Sequence, residues 1–275
     1  MTAHRMNRIS SPPGPVSPPG PVPPGGARRA APPALVLVGH GSRDPRALRT
    51  VGALMDRIRV LRPGLPVHLG HIELNEPLLP DTLAALGAGD AVLVPLLLSR
   101  GHHVKRDIPE AAAVSPARTR TAAPLGPHPL LAEVLHERLA EAGWRTPDDA
   151  ERRVSAVVLA AAGSRDLESA ADTRRAAGLL AERLGVPVVP AYASAASPTV
   201  PQAVRALAAR GRHRVAVASY FAAPGRFSTE CAAAAPWIAA APLGAHPAVA
   251  RLVLHRYERA LAIPVTTRHP LAATA

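Results

Sequence analysis

The chain has 275 residues, a single cysteine (Cys231), 3% aromatic residues and a formal net charge of +12. One cysteine excludes an internal disulfide, so few rings argue against a base-stacking platform, and no apolar run reaches the roughly 18–20 residues of a membrane span. The positive balance favours an acidic partner. The basic residues, however, are mostly scattered singly among Ala and Leu, which weakens a nucleic-acid reading.

Residues 1–33 hold ten of the 32 prolines and read as a disordered tail without the means to form a core. The N-terminus has basic residues but no apolar segment of a secretory signal, so the expected location is the cytoplasm. From position 34 onward, apolar strands alternate with helical patterns. Strands are predicted at 34–39, 65–71, 91–98, 155–161, 187–193 and 213–221. Helices are predicted near 45–61, 76–88, 107–115, 128–142, 166–184, 198–210, 228–240 and 246–261. Such alternation predicts an α/β fold of parallel sheets flanked by helices.

A repeat runs through the chain at domain scale. Leu37-Val-Gly-His-Gly-Ser-Arg-Asp44 matches Leu159-Ala-Ala-Ala-Gly-Ser-Arg-Asp166, and Leu125-Gly-Pro-His-Pro-Leu-Leu-Ala132 matches Leu243-Gly-Ala-His-Pro-Ala-Val-Ala250. Two tandem domains are therefore expected, 34–145 and 153–262, with a linker over 146–152, a C-terminal tail over 263–275 and a cleft between the domains. The copies differ in chemistry. His40 aligns with Ala162, and His103 aligns with Phe227 once Gly101 is matched to Gly225. One copy carries a polar site and the other supplies a wall.

His40 and His103 each follow an apolar run that ends in a polar loop. Ligands of open α/β sheets bind outside the carboxyl ends of strands, and two neutral imidazoles on one rim suit a divalent metal. Glu73, at the end of the strand 65–71, supplies a nearby carboxylate. His71 shares its side of that strand but lies deeper, and His102 is expected to point away from His103. Glu76 reads as a first-turn acid ahead of a Pro at the helix start. His128 and His246, in paired Gly-x-His-Pro turns, read as helix-start residues. Gly39-His-Gly-Ser-Arg-Asp44 is no dinucleotide fingerprint, since Asp44 stands where a third glycine is needed. A phosphohistidine enzyme using Arg43 and Arg106 is a weaker competitor.

Val38-Gly-His-Gly-Ser-Arg43, Glu73-Leu-Asn-Glu-Pro77 and Pro95-Leu-Leu-Leu-Ser-Arg-Gly-His-His-Val-Lys-Arg-Asp-Ile-Pro109 together resemble the sirohydrochlorin chelatases, ATP-independent class II tetrapyrrole chelatases in a long two-domain form. The resemblance implies insertion of Fe²⁺ or Co²⁺ into sirohydrochlorin, in sirohaem or cobalamin biosynthesis. The divalent metal is then a substrate and no nucleotide is needed; no phosphate-cradling Gly-x-x-x-x-Gly-Lys is present. His40 and His103 would bind the ion. One of them, or Glu73, would accept the pyrrole protons, and an imidazole, titrating near neutrality, suits that task better. Arg43, Lys105 and Arg106, with Arg165 as a further candidate, would pair with the carboxylates of the acidic tetrapyrrole. The expected partners include neither nucleic acid nor membrane, and the expected state is a monomer with two pseudo-symmetric halves. A non-catalytic metal or tetrapyrrole carrier is the alternative.

Overall fold

Strand β1 (Ala34–Gly39) is buried along its whole length, and so is β5 (Ser155–Ala161). Strands covered on both faces are continuously apolar for this reason. In the computed structural model, which describes residues 31–263, alternate residues of these strands enter different cores. Leu35 and Leu37 join Val157 and Leu159 in one cluster, whereas Ala34, Val36 and Val38 face a second, and Ala156, Val158 and Ala160 a third. The period-two alternation of side chains thus sets up three hydrophobic layers around two sheets.

The first sheet has the order β2-β1-β3-β4, with β2 at Val67–His71, β3 at Asp90–Pro95 and β4 at Arg118–Thr121. The second repeats it as β6-β5-β7-β8, with β6 at Val188–Tyr192, β7 at Arg214–Ser219 and β8 at Ile238–Ala239. Every pairing is parallel. Helices α1 (Pro45–Leu61), α2 (Leu79–Ala85), α3 (His102–Lys105), α4 (Asp107–Ala113) and α5 (Pro129–Glu141) belong to the first half. After α6 (Asp149–Val154), the second half carries α7 (Leu167–Leu184), α8 (Val200–Ala208), α9 (Arg226–Ala233) and α10 (Pro247–Ala262).

The central core is shared. Helix α5 of the first half packs on α7 and β7 of the second, and α10 of the second packs on β3 and α1 of the first. The Tyr257 hydroxyl donates to the Pro33 carbonyl (2.6 Å), and the Arg120 guanidinium to the Leu261 carbonyl (2.9 Å). Each half therefore completes its burial with the other half's last helix.

Several boundaries differ from expectation for identifiable reasons. The stretch 146–152, expected as a linker, contains the start of α6, which Asp148 and Glu151 begin with a reciprocal capping box. The apolar run predicted as strand to position 98 ends as regular strand at Pro95; the Leu96 amide still donates to the Val38 carbonyl (2.8 Å), Leu96 is buried and Leu98 packs against the shared core, which keeps the run apolar. Strand β4 has no counterpart among the predicted strands, because Arg-Thr-Arg-Thr at an edge has no hydrophobic period. The helix predicted to reach 240 stops at Ala233, ahead of Pro236, and β8 follows. The proline-rich tail, up to position 30, and the C-terminal tail, from position 264, lie outside the described residues.

Candidate active site

His40 is the first residue beyond β1. The chain then turns at Gly41, with φ +101°, where an added Cβ would overlap the Glu73 carbonyl oxygen. Only glycine adopts that conformation without strain. The Ser42 hydroxyl accepts from the Asp44 amide (3.1 Å), and the Asp44 carboxylate caps α1 by accepting from the Arg46 amide (2.9 Å). The second half builds the same joint from Gly163 (φ +93°), Ser164 and Asp166, whose carboxylate accepts from the Glu168 amide (2.9 Å). Gly-Ser-Arg-Asp is therefore a strand-to-helix joint in both halves. His40 is what the first half adds to it.

The loop after β2 lies against this joint. The Glu73 amide donates to the His40 carbonyl (3.1 Å), and the Asn75 side-chain carbonyl accepts from the Ser42 amide (2.6 Å). These bonds place the Glu73 carboxylate 3.2 Å from His40 Nε2. The other nitrogen of His40 lies 3.4 Å from the Gly41 carbonyl.

His103 was expected at a strand end. It stands instead on α3, a single turn that follows Gly101 well beyond β3. Its Nδ1 donates to the Asp107 carboxylate, four residues on and at the start of α4. Asp107 was not singled out in the sequence, although a carboxylate one helical turn from a candidate ligand was the available signal. The His40 and His103 rings meet edge to face, with centroids 4.7 Å apart and planes at 87°. Both rings are partly exposed. Two strand-following segments far apart in sequence thus bring two imidazoles together, each with its own carboxylate. Among the described residues, no group of three or more His, Cys, Asp and Glu side chains is arranged to enclose an ion.

His71 is buried (3% exposed) with Nδ1 3.3 Å from the Pro77 carbonyl, and burial holds its pKa below the usual histidine range. His102 does not point away from His103 as alternation would require. Both lie on one helical turn, and His102 Nε2 stands 3.7 Å from the same Asp107 carboxylate. Glu76 lies before α2 rather than in its first turn; its carboxylate accepts from the Leu78 amide (3.2 Å), and the helix begins at Leu79. His128 and His246 cap α5 and α10, accepting from the Leu130 and Ala248 amides (3.2 Å each).

Of the candidate cations, Arg43 and Arg106 are exposed, as is Arg165 in the second half. Lys105 is already engaged: its Nζ lies 2.6 Å from Asp166 and 3.0 Å from Glu168, both in the second half. Hydrogen bonding to Asp166 and then Glu168 raises the Lys105 pKa, and Lys105 holds Asp166 below the usual carboxylate range. Two cavities lie beside α3. One, of about 570 Å³, includes Glu73, His103 and Asp107 in its lining and is walled by the first half. The other, of about 620 Å³, lies between the halves, with His102, Lys105 and Arg106 on one side and Ser164, Arg165 and Asp166 on the other.

Two similar parallel sheets, with a histidine pair beyond the carboxyl ends of the two central strands of the first, make a tandem α/β protein with one asymmetric polar site. The sequence pattern of the CbiX family matches twice, over residues 34–142 and 156–260, and the chain belongs to that family. A sirohydrochlorin cobaltochelatase of Methanococcus aeolicus is 42% identical over 80 residues, 28% of this chain and 56% of that protein. This chain therefore spans just over half the length of that relative. A second, from Methanopyrus kandleri, is 31% identical over 137 residues, covering 40% of this chain and 96% of the relative. Among solved structures, SirB from Bacillus subtilis with Fe³⁺ superimposes with a TM-score of 0.66 at 24% identity, over 83% of this chain and 95% of that one. At that identity the likeness speaks for the fold.

Proposed function

We propose that this chain inserts a divalent metal, Co²⁺ or Fe²⁺, into sirohydrochlorin without a nucleotide, on the way to cobalamin or sirohaem. The observation that carries this reading is the meeting of His40 and His103, 4.7 Å apart, within a chain of the CbiX family. Relatives in Methanococcus aeolicus and Methanopyrus kandleri named as sirohydrochlorin cobaltochelatases support it.

The ring contacts favour one assignment of protons. With Nδ1–H of His103 donated to Asp107, its Nε2 keeps a lone pair for the ion. With Nδ1 of His40 toward the Gly41 carbonyl, its Nε2 faces Glu73 and can share an ion with that carboxylate. Imidazole and carboxylate ligands without thiolate hold Co²⁺ or Fe²⁺ and still release it to a macrocycle. Insertion exchanges one M²⁺ for two pyrrole N–H protons. The His40 and Glu73 pair accepts them as the metal leaves, so the groups that deliver the ion become the bases that drive the exchange.

The cavity beside Glu73 and His103 receives the ion, and the cavity between the halves receives the edge of the macrocycle. Arg43, Arg106 and Arg165 bind carboxylates of its rim, the guanidinium fork matching a carboxylate with two parallel bonds. Lys105 is the weaker of the sequence candidates for this role, because a substrate carboxylate would have to displace Asp166 and Glu168 from it. Among the described residues no helix is long and apolar enough to cross a membrane. The shared core supports action as a monomer whose two halves wall one cleft, and we place that action in the cytoplasm.

Anaerobic mixing of purified protein with sirohydrochlorin and Co²⁺ or Fe²⁺ tests the reading. The metallated spectrum should appear faster than in the protein-free control. A spectrum that grows at the control rate, from a protein that still binds both ligands, would mark a carrier and overturn the enzyme reading.

A further inference from the structure

The loop that carries His103 is fastened to the second half on both sides of the histidine. Before it, the Leu98 carbonyl accepts from the Tyr220 hydroxyl (3.0 Å), and the Ser99 and Ser169 hydroxyls lie 2.8 Å apart. Arg100 then gives Asp172 three hydrogen bonds: from its backbone amide (2.9 Å), from Nε (3.0 Å) and from Nη2 (2.8 Å). Asp172 is only 4% exposed. Beyond the histidine, Lys105 reaches Asp166 and Glu168. Asp166, Glu168, Ser169 and Asp172 all belong to the N-terminal cap and first turns of α7.

The repeat supplies a control for this joint within the same molecule. Matching Gly225 to Gly101 puts Ala223 and Pro224 where the first half has Ser99 and Arg100. Matching Asp44 to Asp166 puts Arg46, Ala47 and Thr50 where the second half has Glu168, Ser169 and Asp172. The reciprocal joint keeps its close packing: a Cβ on Gly225 would lie 3.7 Å from the Ser42 hydroxyl, as one on Gly101 would lie 3.7 Å from the Ser164 hydroxyl. Ala223 and Pro224, however, have no side-chain donor to place in a carboxylate. Among the described residues, the polar fastening is found only where the loop carries histidines. A buried carboxylate costs free energy unless it is paired and hydrogen-bonded, so Asp172 fixes the loop in one place: any other position leaves it without Arg100.

We propose that Asp172 is a positioning residue for metal capture: through Arg100 it sets where α3 stands, and so the spacing of His103 from His40. The second half has the counterpart of neither histidine, and its part in metal capture is to hold one of the first half's. This rests on the reading of His40 and His103 as the metal-capturing pair.

The test is a double-mutant cycle in the full chain. Co²⁺ is titrated, and followed by its visible absorption, into wild type, Asp172→Asn, His103→Ala and the double variant, with thermal unfolding recorded for each. Asp172→Asn, one step further from the ion, should weaken Co²⁺ binding severalfold, less than the roughly tenfold that a partner bonded directly to a ligand is worth, and should raise the KM for metal more than it lowers kcat. In the His103→Ala background the same substitution should change Co²⁺ binding no further. Wild-type affinity in Asp172→Asn, or an equal loss with and without His103, would overturn the proposal. If Asp172→Asn fails to fold, Arg100→Lys, which keeps the backbone amide bond to Asp172, takes its place in the cycle under the same criteria. A wild-type chain that takes up no Co²⁺ would instead refute the metal reading itself.

Discussion

The two halves of the molecule share one strand order and one strand-to-helix joint and differ in the side chains beyond the carboxyl ends of their central strands. The strand-to-helix joints turn at left-handed glycines, Gly41 and Gly163. The next loops pair with them identically: the Glu73 amide donates to the His40 carbonyl (3.1 Å) and the Ser194 amide to the Ala162 carbonyl (3.0 Å). Glu73 therefore corresponds to Ser194, His40 to Ala162, His103 to Phe227 and Asp107 to Cys231. What both halves keep is what the backbone demands. What one half alone keeps is the chemistry. Asp107 falls in the second group, which supports its assignment beside His103 although its position at the start of α4 alone would read as an ordinary helix-start acid.

The sharpest way to break this contrast is to erase the asymmetric residues. On the proposed reading each of His40→Ala and His103→Ala removes a metal ligand, and each should slow metal insertion by at least about 100-fold. Phe227→Ala should leave Co²⁺ titration unchanged. Equal losses at the two positions would mean that the second half shares the capture site.

Glycine substitutions separate joint from chemistry. Gly41→Ala and Gly163→Ala each force a left-handed conformation and a backbone overlap, with Glu73 and with Ser194. Each should destabilise the fold by about 2–3 kcal/mol, read as denaturant midpoints. Gly41→Ala alone should also weaken Co²⁺ binding, because it displaces Glu73 from His40. Asp107→Asn should weaken Co²⁺ binding about tenfold by loosening the His103 ring, with little change in the unfolding midpoint.

The joint between the halves has its own pH signature. Burial pushes the Asp172 carboxyl upward, but the side-chain and backbone bonds from Arg100 outweigh it, and the net pKa lies below the ordinary carboxylate range. A depressed carboxylate contributes stability above its unfolded pKa of about 3.9, and that contribution is lost as pH falls through the lower folded value. Denaturant midpoints of wild type should therefore fall faster than those of Asp172→Asn as pH drops below about 4. Parallel curves would show that Asp172 adds nothing to stability. The smallest effects belong to the paired caps: His128→Ala and His246→Ala should each cost about 1 kcal/mol, measured by chemical denaturation, with insertion rates unaltered.

The α/β class and most helices were legible because burial imposes periods of two and about 3.6 on the residues, and the duplication was legible because its motifs repeat. The motifs after β1 also sit at equivalent places in both copies. The elements that were missed have no such signature. Strand β4 is an edge of alternating Arg and Thr, and α3 is one turn with no buried residue. Asn75, Arg100 and Asp172 have no sequence signal for a related reason: each acts by a hydrogen bond to a partner that only folding brings near, whereas Asp107 stands one helical turn from His103 and was legible in principle.

The sequence by itself determined that one copy is polar where the other is not, since His40 against Ala162 and His103 against Phe227 need no coordinates. That the Glu73 carboxylate meets His40, that the His40 and His103 rings meet edge to face, and that Lys105 is bound across the halves were decided by the tertiary structure alone. Hydrophobic periodicity is written along the chain and can be read one segment at a time. A bond such as Arg100 to Asp172 joins residues 72 apart, and it exists only because two sheets share one core and bring α7 against the loop after β3.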